Sequence, residues 1–495
     1  MRPEAIWLGA IALGVLMLLA APAVMDLGYD ANTYVATAHG FAQTGELVLQ
    51  WGDVLTFAPT LPGHSHHFPP AYPIYLGVVF VLFGYGLAQA KLAAVFASLA
   101  LLGVMYLCTR DLYGHRRALV ATAIFAVAPW LLWTTGMGFS EGLATLLFTL
   151  TMWAILKSLD DERFIVLAGV FAGLAYLARS SMGAFFLLAG GAGFAWRLRH
   201  RGWRATLSSP WYGLAILAFG AIVGAWAYRN VELFGWPNWE TSPGTRYIPQ
   251  WIADHPREYL LGLLVRAPLL LVVAAPILAL MWPEARRSVR RIRDEHTSGL
   301  WLSVILVWVL GLVFSAAYFS MGPSRYEVFR LDNLRYAVVG VVPLAWALAR
   351  EADLDARATQ RRIVALLAVS LVGCLLVATF PAQSLPAQAA RSLDEHLRPG
   401  DVIAVAGSGK YPFYAYVSDP AAVTVYTWGN AGTEERPEFV VSAWDLGLAG
   451  YDVALHETQA HWWWPADDER VIVYVREDVA QERGIAQLAP LRAGW

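Results

Sequence analysis

The run AYPIYLGVVFVLFG (71–84) decides how this chain is threaded. It carries no charge, yet its apolar core from Tyr72 to Phe83 is too short to cross a bilayer as a helix. At about 1.5 Å per residue it reaches roughly 18 Å, against about 30 Å of hydrocarbon. Counting it as a span would also reverse every later loop. With 71–84 left on the outer leaflet, Arg2 and the clusters Arg110/Arg116/Arg117, Lys157/Arg163, Arg197/Arg199/Arg201/Arg204, Arg286/Arg287/Arg290/Arg291/Arg293 and Arg350/Arg357/Arg361/Arg362 all share one side. The opposite loops hold only Arg179, Arg229, Arg246, Arg257, Arg325, Arg330 and Arg335. An excess of cations marks the cytoplasmic side. The sequence therefore predicts that 71–84 is a helix lying along, or dipping into, the outer leaflet.

Composition points the same way. Of 495 residues, 57% are hydrophobic and 15% charged, where a soluble domain carries about 25% charged residues. The mean hydropathy is +0.47. These values exclude a water-soluble enzyme and require a bilayer as solvent. The net charge of −2 gives no reason to expect a nucleic-acid partner. Cys108 and Cys374 both lie inside apolar runs, so there is no disulfide framework and no thiolate zinc site. Apolar segments at 5–25, 86–109, 118–135, 141–157, 164–178, 181–196, 211–229, 259–282, 299–319, 336–349 and 363–380 predict an all-α polytopic membrane protein with about eleven spans. The first segment is expected to be a retained anchor rather than a cleaved signal peptide.

Two regions are left outside, the loop 26–70 and a tail from residue 385. The tail changes character: DVIAVAG (401–407), AVTVYTW (422–428) and RVIVYVRE (470–477) are short β-branched runs, suiting a small α/β domain over 385–495. Residues 1–384 then form the transmembrane domain.

The loop 26–70 has no Lys or Arg but holds Asp26, Asp30, Glu46, Asp53, His39, His64, His66 and His67. In GYDANTYVATAHGFAQTG (28–45), Asp30, Tyr34, Thr37 and Phe41 fall at helical spacing, with Gly45 as the stop. Spacing alone reads Asp30 as the N-cap of a short amphipathic helix, because Asp is a favoured cap. The His64-x-His66-His67 spacing admits a divalent metal, completed by Asp30 or Glu141, or simply exposed histidines ahead of the Pro69–Pro70 turn.

A first span, an outer-face Asp-x-x-x-Tyr…Gly helix and then HHFPPAYPIYLGVVFVLFG (66–84) together resemble the GT-C superfamily of integral-membrane glycosyltransferases. The resemblance is to the dolichyl-phosphate-mannose–protein mannosyltransferase type and its lipid A aminoarabinose transferase relatives. RDLYGHRRALVATAIFAVAPWLLWTTGMGFSE (110–141), GVFAGLAYLARSSMG (169–183) and LRYAVVGVVPLAWALA (334–349) resemble further pieces of that family, in order. It implies a catalytic acid at Asp30, although Ala31 stands where the family often has a second acid. It also implies a second outer acid at Glu141, and a phosphate-binding position at His67, where relatives often carry Lys.

Tyr34, Arg179, Arg246, Arg266, Arg335 and Tyr336 complete the expected substrate-binding set, since Arg can clamp a lipid phosphate with two hydrogen bonds. Arg179 and Glu141 also have plainer readings, a snorkelling cation and a membrane-edge carboxylate in water. The implied reaction moves a sugar from a polyprenyl-phosphate donor to a lipid, glycan or protein acceptor at the outer face of the plasma membrane. The alternative is a transporter or flippase, which would place ionisable groups near the midplane of paired, broken halves. No such repeat is visible.

The orientation is directly testable. In a variant with Cys108 and Cys374 changed to serine, Glu46→Cys should react with an impermeant maleimide on intact cells. Arg117→Cys should react only after permeabilisation, and the reverse pattern would invert the topology.

Overall fold

The computed structural model describes residues 3–49, 63–65, 68–180, 182, 190–191, 194, 197–198, 202–237, 256–257, 279–290, 337–379, 385–406, 416–417, 420, 422–427, 436–442, 446–461 and 464–488. Contacts group the chain into one unit of Met1–Ala21, Ala94–Thr135 and Ser140–Phe380, and another of Pro22–Ala93, Gly136–Phe139 and Pro381–Trp495.

Apolar runs become helices largely where the hydropathy places them. They are α1 (Pro3–Val24), α2 (Tyr29–Thr44), α3 (Ala71–Phe83), α4 (Leu87–Tyr113), α5 (His115–Ala126), α6 (Pro129–Gly136), α7 (Glu141–Lys157) and α8 (Phe164–Ala178). Then come α9 (Trp203–Leu207), α10 (Pro210–Phe234), α11 (Trp282–Arg290), α12 (Ala337–Glu351) and α13 (Arg357–Thr379). Segments within α1, α4, α10 and α13 are long and apolar enough to cross a membrane, as is the bent pair α5–α6. The chain is a multi-pass membrane protein. The expected spans at 181–196, 259–282 and 299–319 fall wholly or mostly outside the described residues.

The span expected at 118–135 is broken, with α5 and α6 meeting at 56°. Pro129 is the cause. Its ring disfavours helical backbone at the preceding residue and it has no N–H to donate. Leu131 N–H bonds to the Ala128 carbonyl instead of continuing the ladder to Val127. The released Val127 carbonyl accepts the Cys374 thiol of α13 at 3.2 Å. Elsewhere in this unit, α8 and α10 meet backbone to backbone. A methyl at Gly169 would lie 2.3 Å from the Ala215 carbonyl oxygen, and one at Gly173 would lie 2.9 Å from Ile222. This Gly-x-x-x-Gly seam is how lipid-embedded helices approach when no hydrophobic force drives them together. The side of α10 bearing Ile216 and Leu217 is exposed, as a lipid-facing surface would be.

In the other unit α3 packs on α2, with Gly77 so close to Phe41 that a methyl there would lie 2.6 Å from its ring. A short antiparallel pair, β1 (Val48–Leu49) and β2 (Gly63–His64), follows α2. The tail begins with α14 (Leu385–Asp394) and ends with α15 (Glu477–Arg483). Between them, β3 (Val402–Val405), β4 (Thr424–Thr427), β5 (Phe439–Ser442), β6 (Tyr451–His461) and β7 (Trp464–Arg476) form a sheet in the order β4-β3-β5-β7-β6. β4, β3 and β5 are parallel; β7 and β6 add on antiparallel. The three β-branched runs read from the sequence supply β3, β4 and the second half of β7. The α/β character of the tail is borne out, and β5 and β6 extend it.

Arg483 of α15 clamps Asp401, just before β3, with hydrogen bonds of 2.6 and 2.8 Å. Burial alone would raise the Asp401 carboxyl, but the Arg483 bonds and the Arg398 backbone N–H outweigh it and hold the group below the usual carboxylate range. A depressed pKa gives stability that is present above the unfolded value and lost as pH falls through the folded one. Asp401→Asn should therefore cost about 2 kcal/mol at neutral pH. Hydrogen exchange in β3 and α15 should show that difference shrinking once the wild-type carboxyl is protonated; a pH-independent difference would refute the assignment.

Candidate active site

The start of α2 is built by its neighbours. Gly28 is the N-cap, in extended backbone (φ −67, ψ 163), and its carbonyl accepts the first helical N–H, from Asn32 at 3.1 Å. Asp30 therefore lies in the first turn, not at the cap, and the cap reading of this residue does not hold. The predicted stop at Gly45 does, in the left-handed region that glycine enters freely (φ 76). Asp30 is half-buried, and an anion there is favoured by the unpaired N–H groups of the helix start. The Gly28 N–H donates to the Met137 carbonyl at 2.8 Å, and the Phe139 ring fills the space where a side chain at 28 would stand.

Tyr34, one turn beyond Asp30, is buried. Its ring packs against Phe68 and Tyr72, with centroids 4.6 and 5.0 Å away. The Tyr72 hydroxyl in turn donates to the Gly138 carbonyl at 2.9 Å. Tyr34 thus holds the α2–α3 corner together.

Just upstream lies a polar cluster. Asp26 is 1% exposed. Arg391 of α14 grips it through both guanidinium nitrogens, at 2.8 and 3.4 Å. The Tyr416 hydroxyl accepts the Leu27 N–H at 2.8 Å and donates to Asp26 at 3.2 Å. Lys91 donates to the Pro22 carbonyl at 2.7 Å, satisfying an acceptor at the end of α1.

In the other unit Glu141 opens α7 and is fully buried. Arg179, at the end of α8, lies 2.8 Å from it and reaches Ser140 at 3.4 Å. Neither plainer reading survives: the acid is not at a wet membrane edge and the Arg does not snorkel, being 8% exposed. A buried charge of either sign persists only when paired.

His64 on β2 is partly exposed, 3.9 Å from Glu46. His66, His67, Arg246, Arg266, Arg335 and Tyr336 lie outside the described residues, and among the described residues no three His, Cys, Asp or Glu side chains gather as a metal site. The expected His64–His66 metal pair thus has only one described member.

Residues 67–228 match the model of the dolichyl-phosphate-mannose-protein mannosyltransferase family. ArnT from Cupriavidus metallidurans bound to undecaprenyl phosphate superposes with a TM-score of 0.62 at 16% identity, over 94% of this chain and 97% of that one. Its apo form gives 0.59 at 16% identity, over 95% and 98%. This chain has the GT-C fold. The Archaeoglobus fulgidus oligosaccharyltransferase AglB, in complex with an inhibitory peptide and a dolichol-phosphate, follows at a TM-score of 0.55 and 13% identity, over 88% and 69%. No curated protein sequence matches the chain. Within the GT-C fold here, Glu141 and Arg179 fall inside the matched segment, whereas Asp30 precedes it.

Sequence reading missed the partners of Asp26, because Arg391 and Tyr416 lie 365 and 390 residues away. An acid at the end of an otherwise apolar span was the available signal. It also counted Arg197 as a loop cation. The side chain is buried against Glu162 at 2.9 Å, the Ser158 carbonyl at 3.0 Å and the Tyr212 hydroxyl at 2.7 Å.

Removing one member of the Glu141–Arg179 pair should be worse than removing both. Arg179→Met leaves a buried carboxylate without its cation and should cost about 3 kcal/mol or more. Glu141→Gln combined with Arg179→Met should recover at least half of that in thermal unfolding of the detergent-solubilised protein. Equal losses would mean the two charges are not energetically coupled.

Proposed function

We propose that this protein is a membrane glycosyltransferase that takes a sugar from a polyprenyl-phosphate donor and places it on an acceptor at the extracytoplasmic face. The observation that carries this reading is the likeness of nearly the whole chain to ArnT bound to undecaprenyl phosphate. The segment 67–228, matched by a mannosyltransferase family, supports it.

A polyprenyl-phosphate sugar keeps its tail in the bilayer and presents its C1–O–phosphate bond at the surface. The leaving phosphate is already anionic, so it needs positive charge rather than a proton. Arg246, Arg266, Arg335 and His67 are the proposed sources, with Tyr336 beside them. The acceptor hydroxyl needs a base on the opposite face of the sugar. Asp30 takes that role, as a half-buried carboxylate in the first turn of α2. The acceptor oxygen forms its bond to C1 as the C1–O–phosphate bond breaks. Its proton goes to Asp30, and the anomeric configuration inverts. The acceptor itself is a lipid, a glycan or a protein hydroxyl.

The test is incubation of purified protein with a panel of labelled polyprenyl-phosphate sugars, followed by mass spectrometry of products. Asp30→Asn should lower transfer by about 10²-fold or more, and the product should carry the inverted anomer. Near-wild-type turnover would remove Asp30 from the chemistry. Label that crosses the bilayer with its C1–O bond intact would make the protein a transporter instead.

A further inference from the structure

The cluster around Asp26 joins two segments far apart in the chain, and it does so at one sensitive place. Leu27, whose N–H the Tyr416 hydroxyl accepts, is the residue before the N-cap of α2, and Asp30 follows three residues on. Leu27 and Tyr416 are both buried, so neither group can exchange its partner for bulk water. The Tyr416 hydroxyl is used twice, as acceptor from the backbone and as donor to Asp26. Burial, with the Asp26 carboxylate alongside, pushes this hydroxyl well above its ordinary pKa, so it keeps its proton and both bonds persist across the working pH range. Arg391 completes the arrangement. It neutralises Asp26 and lays its guanidinium over the Tyr416 ring, 4.9 Å from the centroid, fixing the ring's position. Gly28 is tied on the other side, to the Met137 carbonyl. The backbone entering α2 is therefore fastened at consecutive residues, one bond coming from the tail.

We propose that Tyr416, held by Arg391 and Asp26, is a positioning residue through which the tail sets where Asp30 stands. The tail is then part of the catalytic apparatus rather than an appended module. This rests on the reading of Asp30 as the base. The geometry favours positioning over simple anchoring: an ion pair between Asp26 and Arg391 would suffice to dock the tail, whereas the bond to the Leu27 N–H acts directly on the path into α2. A base displaced by about 1 Å can lose 10²-fold in rate.

The experiment uses the full chain, with Tyr416→Phe as the main variant because it removes one oxygen and keeps the ring that Arg391 covers. Its kcat should fall about tenfold while KM for the lipid donor stays within about twofold. Arg391→Lys should retain more activity than Arg391→Met. Hydrogen exchange should quicken in the first turn of α2 in Tyr416→Phe, with β3, β5 and β7 as protected as in wild type. Wild-type kcat in Tyr416→Phe, or unchanged exchange at the start of α2, would overturn the proposal. So would a matching loss of protection throughout the tail sheet, which would mean a folding role alone. The Asp30→Asn control keeps the two ideas apart. If that variant turns over normally, the base assignment fails, while the exchange data still decide whether the tail sets the start of α2.

Discussion

A buried charge or polar group without a partner is costly, and that constraint orders the buried polar groups described in this protein. Among the described residues of the span-bearing unit, buried charges are paired. Glu141 has Arg179, Arg197 has Glu162, and Glu284 has Arg362 and Arg287. Apart from Glu284–Arg287, which lies within α11, each pair ties elements that the chain reaches at different times. Thr359, one turn before Arg362 on α13, also donates to Glu284 at 3.1 Å. Cations counted along the sequence as loop charges are partly such ties, so the excess of cations in those loops has a packing component.

The unit that holds α2 and the tail follows the same rule with more varied groups. Around Asp26 the partners are a guanidinium, a phenol and a backbone amide; at Gly138 the partner is another phenol. The aromatic side chains of Tyr34, Phe68 and Tyr72 give the helix corner a rigid apolar body with polar tips. The result is a short helix whose first turn is fixed from several directions while its carboxylate stays partly open. A proton acceptor needs that combination: exposed enough to meet substrate and rigid enough to meet it in one geometry.

Much of this was legible in the sequence where the signal is local. Hydropathy put the ends of α7 and α8 at Glu141–Lys157 and Phe164–Ala178, and the run at 71–84 folds as the short helix Ala71–Phe83. The β-branched runs of the tail were equally readable. What failed was non-local or needed geometry. Asp30 looks like a cap because Asp favours that position, yet Gly28, fitted against Phe139, takes it. The break before Pro129 was hidden in a continuous apolar run. The pairing of Glu141 with Arg179 was invisible because composition cannot distinguish a charge facing water from one facing its counter-ion. Of the proposed cationic set Arg179 lies among the described residues, while Arg246 and Arg266 rest on their place in the sequence and on the fit of arginine to phosphate.

The glycine seam between α8 and α10 has a consequence for Arg179. Gly173 lies six residues before it on a continuous helical path, about 9 Å at 1.5 Å per residue. Because Gly169 sits against the Ala215 backbone and Gly173 against the branched Ile222 side chain, α8 has little room to creep along its neighbour, and one helical turn is about 5.4 Å. A slip of that size would carry the guanidinium out of reach of Glu141. Two residues without side chains thus act as a detent, and the longitudinal register of a buried charge is set by the absence of atoms elsewhere on the same rod.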